Sequence, residues 1–349
     1  MLRQDHIEQL CNRLRLDAGI TLTAPQVADL PAQAERIARG LTAHFDANES
    51  AFLARQLLYV KVREANVLFP NIRFREFVPI SNEVPAGAEQ YSIKTWNIAG
   101  LAKIVANYAH DFPTANAYVS ETLGKVRSVG NSYSYTVQDL RAAAMQPNVS
   151  IDQRRADVAR LVHERTVETV CAYGDTANGL PGFVNNATVA SVSGLTGGWG
   201  SATGEVILSD LHKIAQAVVN QSKTIHAPDT MLLPTTVWGL VATKPYSSVV
   251  PRTILDVFLE SNPYIKNVDQ WVLLDAANSN PDGEGARLAY NRIICYERNP
   301  ANVTFEIPQE FEQFAPQLEG LQYTIPCHSR VGGVTISYPL SVVYADNVV

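Results

Sequence analysis

The segment from Ser150 to Gly174, SIDQRRADVARLVHERTVETVCAYG, predicts one long helix around which the rest of the chain is arranged. Ser150 can cap the first turn, and Gln153 completes a capping box in which side chains satisfy free backbone N–H groups. Gly174 lies where a left-handed residue commonly stops a helix. At about 1.5 Å per residue the helix would span roughly 36 Å, more than most globular helices. We therefore expect a strut with a sheet on one side.

The polarity of this segment predicts which face of the helix is buried. The predicted packing stripe consists of Val158, Leu161, Val162, Arg165, Thr169 and Ala172, widened near its end by Val167, Val170 and Cys171. The opposite face carries Asp157, Arg160, Glu164 and Glu168, so we expect it to meet water or a polar neighbour. An ordinary surface helix of a large domain would fit this stretch equally well.

Composition places the chain among folded, mildly acidic proteins. Its 349 residues, 46% of them hydrophobic, can bury a large core and have room for two domains. The formal net charge is −6, with no long run of either sign. Because sequence-independent DNA binding depends on Lys and Arg, this balance argues against a tight nucleic-acid binder. It does not exclude a wall against which DNA merely lies.

The sequence contains neither a secretion signal nor a membrane-spanning stretch that we can recognise. Asp5 and Glu8 interrupt the N-terminal segment where a signal peptide needs an apolar core, and no stretch approaches about 18 apolar residues. The four cysteines are scattered and form no CxxC pair. They predict free buried thiols in a reducing compartment rather than disulfides or a metal site. They are Cys11, Cys171, Cys295 and Cys327.

Residues 1–50 predict a separate helical arm. An apolar stripe near the start has the i, i+3, i+4, i+7 spacing of a helix, and Pro25 and Pro31 then interrupt the pattern. The stripe is formed by Ile7, Leu10, Cys11 and Leu14. Short amphipathic pieces bury little apolar surface alone, so we expect the arm to pack on another body, either its own or a neighbour's.

Residues 71–135 predict β ribbons that extend away from the core. Period-two alternation predicts strands in IRFREFVPI (72–80), YSIKTWNI (91–98) and GKVRSVGNSYSYTV (124–137). These strands are rich in Tyr, Ser, Arg and Lys and poor in Leu, so they have too little apolar surface to form a core. We expect them to find their partner elsewhere; an ordinary exposed sheet is the alternative.

The remainder alternates helix and strand and predicts an α+β body rather than a regular βαβ repeat. Predicted helices are 209–220, capped by Ser209 or Asp210, then 235–243 and 251–261, the last capped near Thr253. TMLLP (230–234) predicts a strand, and WVLLD (271–275) with ARLAYNRIICYE (286–297) predicts a hairpin around the polar loop Ala276–Gly285. The strand-like segments that follow are 303–308, 321–329 and 334–346.

Two glycine-containing segments invite a functional interpretation that their details do not support. The segment Gly194–Gly204 lacks the Lys-Ser/Thr ending of a P-loop and the spacing of a dinucleotide fingerprint, so we predict a flexible surface loop. Gly332 and Gly333 lie between strands and most simply permit a bend or close backbone approach.

The candidate catalytic and metal-binding pairs are equally incomplete. His163-Glu164 lacks a second His at i+4, so His163 is best interpreted as the partner of a nearby charge. In Cys327-His328 and in His110-Asp111, neighbouring residues of a strand would point to opposite faces and could not act as a pair. We therefore predict no catalytic residue, no cofactor and no metal site.

The order of parts resembles the Hong Kong 97-type major capsid proteins of tailed bacteriophages, a fold shared with encapsulin shells. The amino-acid sequences of two regions support the resemblance. One is YSYTVQDLRAAAMQPNVSIDQRRADVARLVHERTVETVCAYGDTANGLPGFVNN (133–186), similar to the junction at which the family's E-loop returns into its spine helix. The other is PQLEGLQYTIPCHSRVGGVTISYP (316–339), similar to a closing segment of the family. The resemblance extends from about Phe52 onward.

The resemblance implies an α+β fold with named parts. They would be an N-terminal arm (1–50), a P-domain (51–70 and 136–200, with the spine helix 150–174), an E-loop region (71–135), an A-domain (201–330) and a C-terminal strand returning to the body (331–349). In such a protein the E-loop reaches over a neighbouring subunit and the arm straps an adjacent P-domain. The loop Ala276–Gly285 is then expected near a five- or six-fold axis.

The implied function is that of a non-enzymatic head protein, which self-assembles into hexamers and pentamers of an icosahedral shell around double-stranded DNA. Implied partners are copies of itself, a portal, possible decoration proteins and non-specifically contacted DNA, with no membrane. Because the chain begins at Met1, a separate scaffolding protein is expected. Assembly is expected in the host bacterial cytoplasm, and the product is the virion capsid. Some members of the family form a covalent crosslink between a lysine of the E-loop and an asparagine of a neighbouring subunit. Lys94, Lys103 and Lys125 lie in the ribbon region, but none can be matched to that lysine.

Two alternatives remain from the sequence. The same fold could form an encapsulin-type compartment around a cargo enzyme. Less favoured is an α+β enzyme with a site near Gly194–Gly204.

Overall fold

The computed structural model describes residues 70–104, 112–145, 151–247, 252–279 and 288–346, all in the unit Pro70–Val349. The predicted arm, residues 51–69, the His110-Asp111 pair, the Ser150 cap and residues 280–285 of the predicted polar loop lie outside the described residues.

Helices and strands are interspersed, which confirms the α+β composition. The helices of the described ranges are α1 (Phe74–Phe77), α2 (Val137–Met145), α3 (Ile151–Tyr173), α4 (Gly204–Gln221), α5 (Thr235–Thr243) and α6 (Ile254–Ser261). The strands of the first half are β1 (Ile80–Ser81), β2 (Gln90–Ala99), β3 (Asn116–Lys125), β4 (Arg127–Thr136), β5 (Gly174–Asp175), β6 (Leu180–Pro181) and β7 (Ala190–Ser191). The later strands are β8 (Thr230–Leu233), β9 (Asn267–Gln270), β10 (Arg292–Tyr296), β11 (Val303–Glu306), β12 (Gln309–Gln313), β13 (Gln317–Glu319), β14 (Gln322–Val331), β15 (Val334–Ile336) and β16 (Val342–Asp346).

Three sheets organise the unit. The largest has the strand order β7-β16-β10-β8-β9. In a second sheet, β4 pairs antiparallel with the whole of β14, while β12 and β13 pair with successive parts of the other edge of β14. A third sheet has the order β1-β11-β15. Strands β2 and β3 pair only with each other among the described strands.

Two hydrophobic cores lie on opposite faces of the largest sheet. Ile294 and Tyr344 belong to the first core, which also contains the end of α3, and their sequence neighbours Cys295 and Val343 belong to the second, with α4 and α6. Alternate residues of a strand point to opposite faces, so β10 and β16 are buried on both sides. Strand β16 is thus an interior strand of the largest sheet.

The strand predicted over 72–80 is wrong, because the centre of this segment is the short helix α1. Phe74 and Phe77, three positions apart, lie on one side of a helical turn and are both buried. The ring of Phe74 packs 5.8 Å from Phe305, and that of Phe77 lies 5.4 Å from Trp271, measured between ring centroids. Only β1 is extended here, parallel to β11. Tertiary packing of the two rings outweighs the local alternation.

The other two predicted ribbon strands, 91–98 and 124–137, are present as β2 and β4, but they do not pair with each other. Strand β2 pairs with β3, which period-two alternation did not predict. At the buried residue Val126 the chain leaves this pair, and β4 joins β14 in the body. The projecting element is therefore β2 with β3, hereafter the ribbon, whereas residues 127–135 fold onto the rest of the unit.

The hairpin predicted around the loop 276–285 is wrong. Strand β8 lies between β9, which pairs with it in parallel, and β10, which pairs antiparallel. The WVLLD segment contains a 3-10 turn, Val272–Leu274, rather than a strand. The polar composition of the loop predicts a turn, but it does not reveal that β8 lies between β9 and β10 in the sheet.

The helices after the glycine-rich segment are largely as predicted. Helix α5 has the predicted bounds, and α6 is capped by Thr253, whose Oγ1 accepts a hydrogen bond from the Asp256 N–H at 3.2 Å. Helix α4 instead begins at Gly204, before the predicted caps.

The segment Gly194–Gly204 is anchored rather than free, so the prediction of a flexible loop is wrong at its centre. Trp199 is fully buried, and its Nε1 donates to Asp210 Oδ2 at 3.1 Å. The Thr196 N–H donates to the same oxygen at 3.0 Å. Asp210, predicted as a helix cap, instead fastens this segment to α4.

Candidate functional site

The long helix is present as predicted and supplies one candidate surface. Helix α3 covers Ile151–Tyr173, and Gly174 follows with φ +69°, the left-handed conformation expected at a helix end. A side chain on Gly174 would collide with the backbone of Leu180 and Gly182. The stop is therefore fixed both by dihedral angle and by close backbone approach.

The buried face of α3 differs from the predicted one. Val158, Leu161 and Val162 are between 36% and 59% exposed. The buried residues of this part are Ala159 and His163, and Asn131 Nδ2 of β4 donates to the Ala159 carbonyl at 2.7 Å. In this half of the helix the sheet therefore covers a side next to the predicted stripe, whereas the later members Val167, Thr169, Cys171 and Ala172 are buried as predicted. The exposed stripe Val158, Leu161 and Val162, hereafter the helix stripe, is a candidate contact surface.

Towards the end of the helix, the face predicted to meet water or a polar neighbour meets polar partners in the interior. Glu168 is buried, and its Oε1 accepts hydrogen bonds from the Arg73 N–H at 3.0 Å and from Trp271 Nε1 at 3.3 Å. Burial raises the pKa of Glu168, and these hydrogen bonds act in the opposite direction. This carboxyl therefore ties the start of the described unit to the first core.

The ribbon supplies the second candidate surface. In its antiparallel register, Trp96 lies opposite Val119, and Leu123 lies opposite Ser92. Directly opposed residues share a face, so Trp96, Ile98, Val119 and Leu123 all lie on one face, hereafter the ribbon face. All four are between 46% and 88% exposed. In its centre Lys94 Nζ and Glu121 Oε1 form an exposed ion pair at 3.6 Å.

The other face of the ribbon contacts the body near its root. Tyr91 is half-buried there, and its hydroxyl lies 3.2 Å from the Gly332 carbonyl and 2.7 Å from Thr335 Oγ1. At the opposite end of the ribbon Leu101, Ile104 and Phe112 are exposed. Such a concentration of exposed apolar side chains on a two-stranded ribbon, which is marginal alone in water, indicates a surface meant to be covered.

The sequence predicted only part of this surface. Trp96 and Ile98 fall in a predicted strand, whereas Val119 and Leu123 were missed. Their signal was present as alternation through Ala117, Val119, Glu121 and Leu123, weakened by the charge in the middle.

Among the residues considered for catalysis or metal binding, the structure describes His163, Cys327 and His328. The partner of His163 is the Ser329 hydroxyl rather than a charge, so that prediction is wrong. Cys327 is buried, and burial raises the pKa of its thiol, as it does for Cys171 and Cys295. All three are free thiols, as predicted, and a raised pKa disfavours the reactive thiolate. Within the described ranges, no cluster of three His, Cys, Asp or Glu residues could hold a metal ion.

The helices of the described ranges also include none that is long and apolar enough to cross a membrane.

Comparisons with solved structures place this architecture among capsids. The capsid of Myoviridae phage XM1 matches with a TM-score of 0.72 at 14% identity, over 84% of this chain and 98% of that chain. The structure of Mycobacterium phage Bobi matches with a TM-score of 0.56 at 13% identity, over 87% and 99%. The capsid of a native GTA particle matches with a TM-score of 0.54 at 14% identity, over 84% and 96%. These likenesses confirm the Hong Kong 97-type fold.

A comparison with curated protein sequences found no match. The family model described as "Major capsid protein", by contrast, matches residues 100–348, which is most of the chain and includes β3, the long helix and most residues of both cores. The chain therefore belongs to the major capsid protein family, as a structural, non-enzymatic subunit that assembles with copies of itself into the capsid shell of a virion.

Proposed function

We propose that copies of this chain form the hexamers and pentamers of an icosahedral phage head, with the ribbon face of each copy covering a neighbour. The exposed ribbon face carries this proposal. Burying a large apolar side chain contributes roughly 1.5–3 kcal/mol, so covering four of them outweighs the ordering of a short ribbon. A shell subunit meets the same neighbour at every position, which provides a constant partner for this face.

The helix stripe is the surface that we propose the ribbon face covers on the adjacent copy. Both are apolar, and both are exposed on the single chain. Each adjoins charged residues, Lys94 and Glu121 in the centre of the ribbon face and Asp157 and Arg160 on the helix. Contacts of this size are individually weak enough to be corrected while a shell closes.

We propose the following parts for the assembled subunit: an arm (1–50) that straps a neighbour, a P-domain (51–70 and 136–200), an E-loop region (71–135), an A-domain (201–330) and a C-terminal strand (331–349). Because residues 127–135 pair with β14, we propose that the projecting part of the E-loop region is the ribbon rather than the whole of 71–135. The loop Ala276–Gly285 is proposed to approach the five- and six-fold axes, as the resemblance to Hong Kong 97-type capsid proteins implies.

Double-stranded DNA is the proposed content of the shell, contacted without sequence preference. A net charge of −6 suits a wall that does not hold packaged DNA tightly. Portal, scaffolding and decoration proteins are the proposed partners during and after assembly, which is proposed to occur in the host bacterial cytoplasm.

Electron microscopy of the purified chain under assembly conditions tests the proposal. The double variant Trp96→Ser with Ile98→Ser removes half of the ribbon face, and we expect it to abolish closed shells. The matched control, Thr95→Ser with Asn97→Ser, changes the other face of the same strand and should leave shells intact. A soluble chain that forms no shells in any condition, or normal shells from the Trp96 and Ile98 variant, would contradict the proposal.

A further inference from the structure

The root of the ribbon contains a buried carboxyl group that shell formation does not explain. Glu306, the last residue of β11, is only 7% exposed. The Ser81 hydroxyl hydrogen-bonds to this carboxyl group, but its Oε2 atom is buried and has no hydrogen-bond partner among the described residues. A buried polar atom without a partner costs about 1–3 kcal/mol, and a charged one costs more. The carboxyl is therefore far easier to accommodate when it is neutral.

Glu306 and the ribbon residue Tyr91 both hydrogen-bond to the backbone of Gly332. The Gly332 N–H donates to the Glu306 carbonyl at 2.8 Å, and the Gly332 carbonyl accepts from the Tyr91 hydroxyl of β2 at 3.2 Å. A Cβ on Gly332 would lie 2.8 Å from the Glu306 Cβ and 3.2 Å from the Tyr91 ring. Glycine at this position thus allows the stem of the carboxyl and the ribbon's tyrosine to pack against one turn. A movement of one affects the other.

The charges that face Glu306 favour its neutral form. Glu83, from the segment after β1, opposes a second negative charge, and the Tyr91 phenol packs from β2. Ser81, from β1, contributes the single favourable hydrogen bond, and no cation among the described residues is paired with the carboxyl. Burial is the main cause that raises the pKa of Glu306, and the negative charge of Glu83 raises it further. The hydrogen bond from Ser81 lowers the pKa but is the smaller effect.

We propose that Glu306 makes the ribbon root a pH-sensitive switch, closed around Tyr91 when the carboxyl is neutral and loosened when it ionises. Ionisation releases a proton to solvent and leaves a negative charge for which Ser81 is the only hydrogen-bond donor among the described residues, so Oε2 requires water. Water reaches Oε2 by separating the turn at Gly332 from the Tyr91 hydroxyl, and this frees β2 at its root. The pH of the surroundings thereby sets how freely the ribbon can move.

Hydrogen–deuterium exchange on the purified, unassembled full-length chain tests this switch, so its outcome does not depend on shell formation. Exchange is followed from about pH 4.5 to about pH 8 in peptides containing Tyr91 and Val126, after correction for intrinsic chemical exchange. We expect protection of these amides to fall about tenfold as pH rises through the ionisation of the carboxyl. In Glu306→Gln, which is neutral at every pH, protection should stay at its low-pH level.

Two further variants distinguish the switch from general destabilisation. Glu83→Gln removes the opposing charge and should move the midpoint of the transition to lower pH. Glu319→Gln changes an exposed carboxyl of β13 and should leave the profile unchanged. A wild-type profile independent of pH, or the same transition in Glu306→Gln, would overturn the proposal. If Glu306→Gln does not fold, an unchanged midpoint in Glu83→Gln overturns it instead.

Discussion

His163 Nε2, on the long helix α3, lies 2.6 Å from the hydroxyl of Ser329 on β14, and both residues are buried. The imidazole also packs edge-on against Phe311, with ring centroids 4.9 Å apart. Its other nitrogen, Nδ1, is buried without a hydrogen-bond partner among the described residues. The helix is therefore joined to the β4–β14 sheet through a ring whose burial favours the neutral form.

The buried His163 ring predicts that stability falls in mild acid. Burial lowers the pKa of His163, Glu164 acts against this shift and His328 adds to it. Between the lowered folded pKa and the ordinary value of about 6.5, the unfolded chain binds more protons than the folded one. The free energy of unfolding should therefore decrease as pH falls below about 6.5. Chemical denaturation at a series of pH values measures this.

Two variants assign the acid sensitivity to the ring. His163→Gln does not titrate and should flatten the pH dependence in this window. Ser329→Ala removes the hydrogen bond at a cost of roughly 1 kcal/mol but keeps the titrating ring, so it should retain the pH dependence. Equal pH profiles for wild type and His163→Gln would show that another group is responsible.

The two hydrogen bonds accepted by Glu168 predict a large difference between removing and neutralising its side chain. Glu168→Ala leaves the Arg73 N–H and Trp271 Nε1 without their acceptor, and should lower the free energy of unfolding by about 2–4 kcal/mol. Glu168→Gln keeps an oxygen for both donors and removes a charge disfavoured by burial, so its effect should stay within about 1 kcal/mol. Urea denaturation at neutral pH compares the two; equal losses would mean that the charge, not the acceptor, matters.

The raised pKa of Glu168 also fixes the sign of its pH effect. The folded chain holds its proton at higher pH than the unfolded chain does. This contribution to stability is complete below the unfolded pKa and is lost as pH rises through the folded value. Glu168→Gln should remove that loss.

The helix stripe predicts variants that impair assembly without unfolding the subunit. Val158→Ser with Val162→Ser changes exposed side chains, and the free energy of unfolding should change by no more than about 0.5 kcal/mol per site. Shell formation, followed by light scattering and electron microscopy, should be strongly reduced. The buried control Val167→Ala should show the reverse, with stability lowered by roughly 1–3 kcal/mol and shells still formed below its melting temperature.

Close packing at the ribbon root predicts that replacing Gly124 by alanine destabilises the ribbon. This glycine lies opposite Tyr91, and a Cβ there would overlap the tyrosine ring. Gly124→Ala should displace the ring from Gly332 and Thr335, costing about 1–3 kcal/mol and increasing proteolysis in the ribbon. Gly87→Ala, with no atom within 4 Å of the added Cβ, is the matched control and should behave as wild type. Equal behaviour of the two variants would contradict this account.

The candidate surfaces show where inference from sequence reached its limit. Trp96 and Ile98 could be assigned to a projecting strand because their alternation is local. The opposite strand, with Val119 and Leu123, was missed because Glu121 interrupts its apolar pattern. Glu306 and Tyr91, which meet through Gly332, are far apart in the chain, and no short motif contains them.

The sequence by itself determined the long helix, its stop at Gly174, the free thiols and the α+β class, because helical periodicity, a left-handed glycine and cysteine spacing are local properties. Only the tertiary structure decided which side of that helix meets the sheet, that β4 pairs with β14 rather than extending the ribbon, and that Glu168 is buried. Each of these depends on a partner that is distant in sequence. A helix with apolar residues on more than one side has several faces that could be buried, and the position of its partner decides which one is.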